Sequence, residues 1–260
     1  MVVVTDRSVS VVAVVSGVLV SCAVAAAPAV AGPAATAGSG HAGASGRSLY
    51  VAGWVFPVSG RSASVTTEVV VPNVTCPSNS EPAVGPGAYV GTKAVHGNLN
   101  DGVGSQVQLD CLNHKYYPLL AVFFGPKLGI APEKVHVGDL VRLTVTIGPS
   151  ASTATAQDLT SGHKLTYRKS STGGVPETAA VGDHLQYTLG QSPSPDPIVD
   201  FRTLRFTAGE VDGKPLGASS GGKAYSMVGS GHRLQVTTGP LTGGASAAKH
   251  NSFTTTWKHS

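Results

Sequence analysis

The sequence predicts an all-β fold, and composition, turn residues and side-chain alternation all point that way. Only 12% of residues are charged, about half the share of an average soluble domain. The 33 glycines and 17 prolines supply tight turns, while the abundant Val and Thr suit a pleated, half-buried surface. Long stretches of Leu, Glu, Lys and Gln, which would carry helices, are missing. The clearest single element is 141–147. There Val141, Leu143, Val145 and Ile147 share one face, and Arg142, Thr144 and Thr146 share the other. Strict alternation of this kind marks an antiparallel sheet with one buried and one wet face.

Residues 1–31 have the pattern of a signal peptide: Arg7, an apolar run over 11–20, then small-residue exits at Ala25-Ala26-Ala27 or Ala29-Val30-Ala31. The strictly apolar run is too short for a permanent membrane span. Leu19-Val20-Ser21-Cys22 also resembles the site at which bacterial lipoproteins are cut and acylated. A leader ending before a lipidated Cys22, with the protein anchored at the cell surface, is therefore the alternative to simple secretion. The apolar Ala, Val and Pro that follow Cys22 favour secretion over a polar lipoprotein tether. Without the leader, Cys76 and Cys111 remain, and two cysteines in an oxidising compartment most simply form one disulfide. Two unpaired buried thiols are the other possibility.

Residues 32–47 lack any large apolar side chain and cannot bury enough surface to offset their ordering entropy, so they read as a linker. The domain is expected over 48–260. Its strands are predicted at 49–56, 64–71 (stopped by Pro72), 87–92, 104–111, 118–124, 141–147, 152–159, 163–168, 183–188, 201–207, 223–228, 232–238 and 252–257. Turns at Thr160-Ser161-Gly162 and Asp212-Gly213-Lys214 separate some of them. Many short strands without a helical period imply two packed sheets.

Several functions are disfavoured. The net charge is +4 and the basic residues are scattered, so no run tracks a nucleic-acid backbone. There is no Gly-x-Ser-x-Gly elbow, phosphate loop or His-Glu-x-x-His pair. The nine histidines lie far apart without metal-ligand spacing. His96, His114 and His184 read as surface or turn residues, and neither metal nor cofactor is expected. The polar loop His96-Gly97-Asn98-Leu99-Asn100-Asp101 suits a glycan, which keeps a secreted carbohydrate- or surface-binding module in view.

Read in order, the strands carry a further pattern. Trp54 stands in Val51-Ala52-Gly53-Trp54-Val55, and the next strand ends in Val70-Val71-Pro72-Asn73-Val74-Thr75-Cys76-Pro77. Then come Ala88-Tyr89-Val90-Gly91, a Gln-bearing strand ending Asp110-Cys111, an apolar strand closing on Gly125-Pro126, Val135-His136-Val137-Gly138-Asp139, and Val199-Asp200-Phe201. Over about residues 48–212 this order resembles the glutamic peptidase (eqolisin) family. The resemblance implies a jelly-roll-like (concanavalin-like) sandwich of two curved antiparallel sheets, a Cys76–Cys111 bridge and a polypeptide substrate or ligand. Eqolisins cut peptide bonds in acid with a Gln and a Glu on the concave sheet. The carboxyl group shuttles protons, and the amide holds the water and the oxyanion.

Carried onto this chain, the Gln role falls to Gln106 or Gln108, although the ungapped register puts Gly104 there. The Glu is expected around 182–187, where the register offers Gln186 or Tyr187. The nearest carboxyl groups are Glu177 and Asp183. Trp54, Tyr89, Phe123 and Tyr187 are the expected groove lining, with Trp54, Tyr89 and Phe123 equally suited to packing inside the sandwich. The family's Trp-Val-Gly-Ile-Asp-Gly is here Tyr89-Val90-Gly91-Thr92-Lys93-Ala94, and its aromatic, Glu-containing strand is Leu120-Ala121-Val122-Phe123-Phe124. The expected protein is thus a divergent homologue with an incomplete dyad and weak or no proteolysis. An active acid endopeptidase using a Gln and a shifted carboxyl group is the alternative.

Overall fold

The computed structural model describes residues 46–76, 84–92, 102–112, 114–125, 127–170, 174–185, 198–229 and 232–258. Cys22, the 96–101 loop and Tyr187 lie outside the described residues. Among those described, the regular structure is β-strand with short 3-10 turns, and no helix is long and apolar enough to cross a membrane.

One layer follows the order β14 (Lys223–Val228), β2 (Val51–Pro57), β11 (Thr178–Leu185), β4 (Val84–Gly91), β5 (Val103–Leu112), β6 (Lys115–Phe124) and β7 (Lys127–Lys134). The other follows β10 (Lys164–Ser170), β9 (Ala151–Asp158), β8 (Leu140–Ile147), β3 (Ala63–Val70), β12 (Thr203–Val211), β16 (Phe253–Trp257) and β15 (Leu234–Thr238). Pairing of β14 with β15 joins the layers, and β3, β8 and β9 pack against β4, β5 and β6. Short β1 (Gly46–Ser48) runs parallel to β14, and β13 (Lys214–Pro215) pairs with β12. Gly46 and Arg47, read as linker, thus lie in a strand.

The layers bury one large apolar core. Val65, Val69, Val141, Leu143, Val145, Phe206 and Phe253 meet Val84, Val107, Leu109, Leu120 and Val181 inside it. The alternation predicted for 141–147 holds, with Val141, Leu143, Val145 and Ile147 buried. Phe206 stacks on Phe253 at 4.7 Å between ring centroids. β7 and β11 depart from expectation. β7 was not predicted, since Gly129 and Pro132 weaken its strand signal; a proline is tolerated there because β7 is an edge. β11 begins at Thr178, five residues before the predicted start. Its small Ala179-Ala180-Val181-Gly182 run has modest β-propensity, and its two flanking strands, β2 and β4, impose the conformation. At the opposite edge, β10 is largely exposed and carries Lys164, Arg168 and Lys169.

Cys76 and Cys111 are joined by a disulfide that closes a 35-residue separation and ties the segment after β3 to the end of β5. Replacing both cysteines by alanine should lower the unfolding free energy by about 2–4 kcal/mol, read from urea denaturation, through the freed chain entropy of the unfolded state.

Candidate functional site

A strand's two-residue period decides which side chains can meet. On β5, Ser105, Val107 and Leu109 point into the main core, so Gln106, Gln108 and Asp110 point to the outer face of their layer. Tyr89 of β4, Phe123 of β6, and Val51 and Val55 of β2 share that outer face, where they form a second apolar cluster with Ala180 of β11. Trp54 faces the other way: it lies in the main core, its indole N–H donates to the Gly239 carbonyl at 3.1 Å, and it stacks on Phe56. Tyr89 and Phe123 therefore stand together on the outer face, and Trp54 does not join them.

One register row crosses the expected catalytic region. Ala180 of β11 faces Tyr89 of β4, which faces Gly104 of β5, which faces Phe123 of β6. The Phe123 ring fills the space above Gly104, since a Cβ there would lie 2.0 Å from the ring. Tyr89 and Phe123 have centroids 5.7 Å apart.

The next polar group along β5 is Gln106, which is fully buried. Its amide lies over Gly85, where a Cβ would come within 2.4 Å of Cδ. The Tyr89 hydroxyl donates to the Gly85 carbonyl and sits 3.2 Å from Gln106 Oε1. Gln106 Nε2 has no partner. Gln108 is buried too; its Nε2 donates to both carboxylate oxygens of Asp110, at 2.8 and 2.9 Å. Asp110 is a carboxylate on the outer face that sequence reasoning passed over, although its i, i+2 relation to Gln108 was readable from the predicted strand.

Neither expected carboxyl group reaches Gln106. Asp183 has the parity of Ala179, Val181 and Leu185, so it enters the core between the layers, on the opposite face from Gln106. Glu177 is exposed just before β11, where its backbone bonds to Gly91 and Val58. Gln106 is aligned through Gly87 with Gly182, five residues from Glu177, or about 17 Å along the strand.

The neighbour of Asp183 also corrects the sequence reading. His184 is not a surface residue: it is 3% exposed on the outer face, its ring 5.0 Å from Tyr89 and 6.1 Å from Phe123. His114 does occupy an exposed turn, with φ of 60°.

Asp183 and His184 thus lie back to back, buried, with no hydrogen-bond partner on either group. Burial pushes Asp183 from 3.8 up to about 7, opposed by the nearby Thr255 hydroxyl, although no hydrogen bond of normal geometry joins them. Burial pulls His184 from 6.5 down to about 4. The Tyr89 phenol is raised well above its ordinary value by burial and then by the Asp183 charge.

Among the described residues no cluster of His, Cys, Asp and Glu is arranged to hold a metal ion. A family model described as the Peptidase A4 family matches residues 50–247. The chain belongs to that family, the eqolisins. No curated protein matches it significantly. It is similar in fold to scytalido-glutamic peptidase bound to a transition-state analogue, at 16% identity and TM-score 0.57, over 81% of this chain and 98% of that one. It is equally similar to SCP-B, a member of the eqolisin family in complex with the tripeptide Ala-Ile-His, again at 16% identity, TM-score 0.57 and the same coverage. At such identities the likeness concerns the eqolisin fold alone.

The two buried groups make opposite contributions to stability with pH. Asp183, raised in the folded state, favours folding most below about 3.8 and loses that advantage as pH rises toward about 7. His184, lowered in the folded state, favours folding most above 6.5 and loses its advantage as pH falls toward about 4. Between these limits the slopes oppose each other at about 1.4 kcal/mol per pH unit each. Urea denaturation across this range should show stability rising with pH in Asp183→Asn and falling with pH in His184→Gln, with the wild type between them. Parallel curves for all three would show that neither group is desolvated as described.

Proposed function

We propose that this eqolisin domain is a secreted glutamic-peptidase homologue with weak or no proteolytic activity. The supporting observation is the row Ala180–Tyr89–Gly104–Phe123. Ungapped register with the family puts Gly104 at the Gln position, and the ring of Phe123 occupies the space above it. No carboxyl group stands in that row. Hydrolysis of a peptide bond in acid needs a group that takes a proton from water and returns it to the leaving amine. Asp183 faces the wrong side of its strand, Glu177 lies too far along it, and Asp110 is engaged with Gln108. Secretion is supported by the leader-like residues 1–31 and by the disulfide, which suits an oxidising compartment. A polypeptide is the ligand class in keeping with the family.

The deciding assay is hydrolysis of a denatured protein from acidic to neutral pH. Gln106→Ala, Gln108→Ala, Asp110→Ala, Glu177→Ala, Asp183→Ala and Asp196→Ala variants are run alongside. The last removes the one carboxyl group in 186–197. The folded, disulfide-bonded wild type should show little or no cleavage with an acid optimum. Robust acid cleavage abolished by one Gln and one carboxyl substitution would instead make the protein an active acid endopeptidase and locate its dyad.

A further inference from the structure

We infer that His184 is the proton acceptor of this face: paired with the Gln106 amide, it activates water against an ester or amide carbonyl where the carboxyl group is missing. The inference rests on the reading that the carboxyl-dependent dyad is lost, and it names what residual hydrolysis would use.

Placement comes first. His184 of β11 is the register partner of Gly85 of β4, and such partners have Cα atoms about 4.5–5.5 Å apart. Because Gly85 has no side chain, the Gln106 amide lies directly over it, with Nε2 2.6 Å from where a Cβ would stand. The amide therefore crosses β4 and arrives beside His184. Tyr89 touches both: its ring centroid is 5.0 Å from the imidazole and its hydroxyl 3.2 Å from Gln106 Oε1. The hydroxyl's single proton is available to the Gly85 carbonyl or to Gln106 Oε1.

Unmet hydrogen bonding is the second observation. Gln106 Nε2 and both ring nitrogens of His184 lack partners, although both side chains are more than nine-tenths buried. Buried polar groups are seldom left so. A water molecule that receives a hydrogen bond from the amide and gives one to the imidazole would pair Gln106 Nε2 and one of the two ring nitrogens. Among the described residues the groups around the imidazole are Tyr89, Phe123 and Val51, together with Gln106. Of the titratable groups on this face, Tyr89 touches the imidazole, Tyr50 and Tyr225 pack against the same cluster, and Asp110 is paired with Gln108 on β5; Asp183 projects to the other face. With its affinity for protons lowered by burial, His184 is neutral above about pH 4 and free to accept one.

The step balances without a co-reactant beyond water. Water gives a proton to an imidazole nitrogen while its oxygen bonds to the carbonyl carbon. The carbonyl π pair moves to oxygen, which accepts a hydrogen bond from Gln106 Nε2. On collapse the imidazolium returns the proton to the leaving oxygen or nitrogen as the bond to carbon breaks. Burial of both groups restricts access, so turnover is slow and favours small, activated substrates.

The test is hydrolysis of p-nitrophenyl acetate by the chain from acidic to neutral pH, with His184→Gln and Gln106→Ala, and circular dichroism to check folding. In parallel, the imidazole nitrogens of the wild type are titrated by NMR. The rate should rise through an inflection near pH 4, level off toward neutrality, and follow the titration of His184. Each substitution should reduce it by more than about tenfold. A rate indifferent to His184→Gln, or no protein-dependent hydrolysis by the folded wild type, overturns this inference and leaves the loss of the carboxyl dyad standing. A rate that peaks in acid and vanishes with one of the carboxyl substitutions named above, assayed alongside on the same ester, overturns that underlying reading too. Should His184→Gln fail to fold, a mismatch between the wild-type rate inflection and the His184 titration is sufficient to reject the role.

Discussion

Strand β11 is hydrogen-bonded along both edges, to β2 and to β4, and covered on both faces. That constraint organises everything of chemical interest in this molecule. A strand gripped on both sides cannot slip by one residue without moving every side chain to the wrong face. Asp183 is therefore committed to the core between the layers and His184 to the outer face, however unfavourable the desolvation of each. The same fixed register lines up Ala180, Tyr89, Gly104 and Phe123 and leaves the amide of Gln106 beside an imidazole.

The fold was largely legible in the sequence because period-2 alternation is a local property. Val141 to Ile147 announced its buried face residue by residue, and Gln106 and Gln108 were correctly placed together. Elements were missed where local preference and tertiary demand diverge. The run Ala179–Gly182 looks like a poor strand, and only its two neighbours make it one. No strand was predicted at 127–134, where Pro132 is tolerated because β7 is an edge.

The site was less legible, for a related reason. Reading β11 five residues late left the parity of Asp183 and His184 undetermined, and parity is what separates a groove carboxylate from a core one. His184 was taken for a surface residue because an isolated histidine between an aspartate and a leucine carries no local sign of burial. Its surroundings, Tyr89 and Phe123, come from strands about 95 and 60 residues away in sequence and from side chains reaching across the sheet. Membership of the eqolisin family, with a fold kept at 16% identity to solved members, shows how loosely a sandwich constrains its sequence. Core positions need apolar volume, which many residues supply; a hydrolytic dyad needs particular atoms in one place.

The close fit of Phe123 over Gly104 also bears on how this lineage can change. Any side chain introduced at 104 collides with the ring, and shrinking the ring first leaves a void in a well-packed cluster. Each route begins with a loss, and the benefit of an amide at that position arrives only once the second change is in place. Selection acting on single substitutions meets a valley in both directions. The aromatic filling thus acts as a ratchet on position 104, whose identity can change only together with that of residue 123.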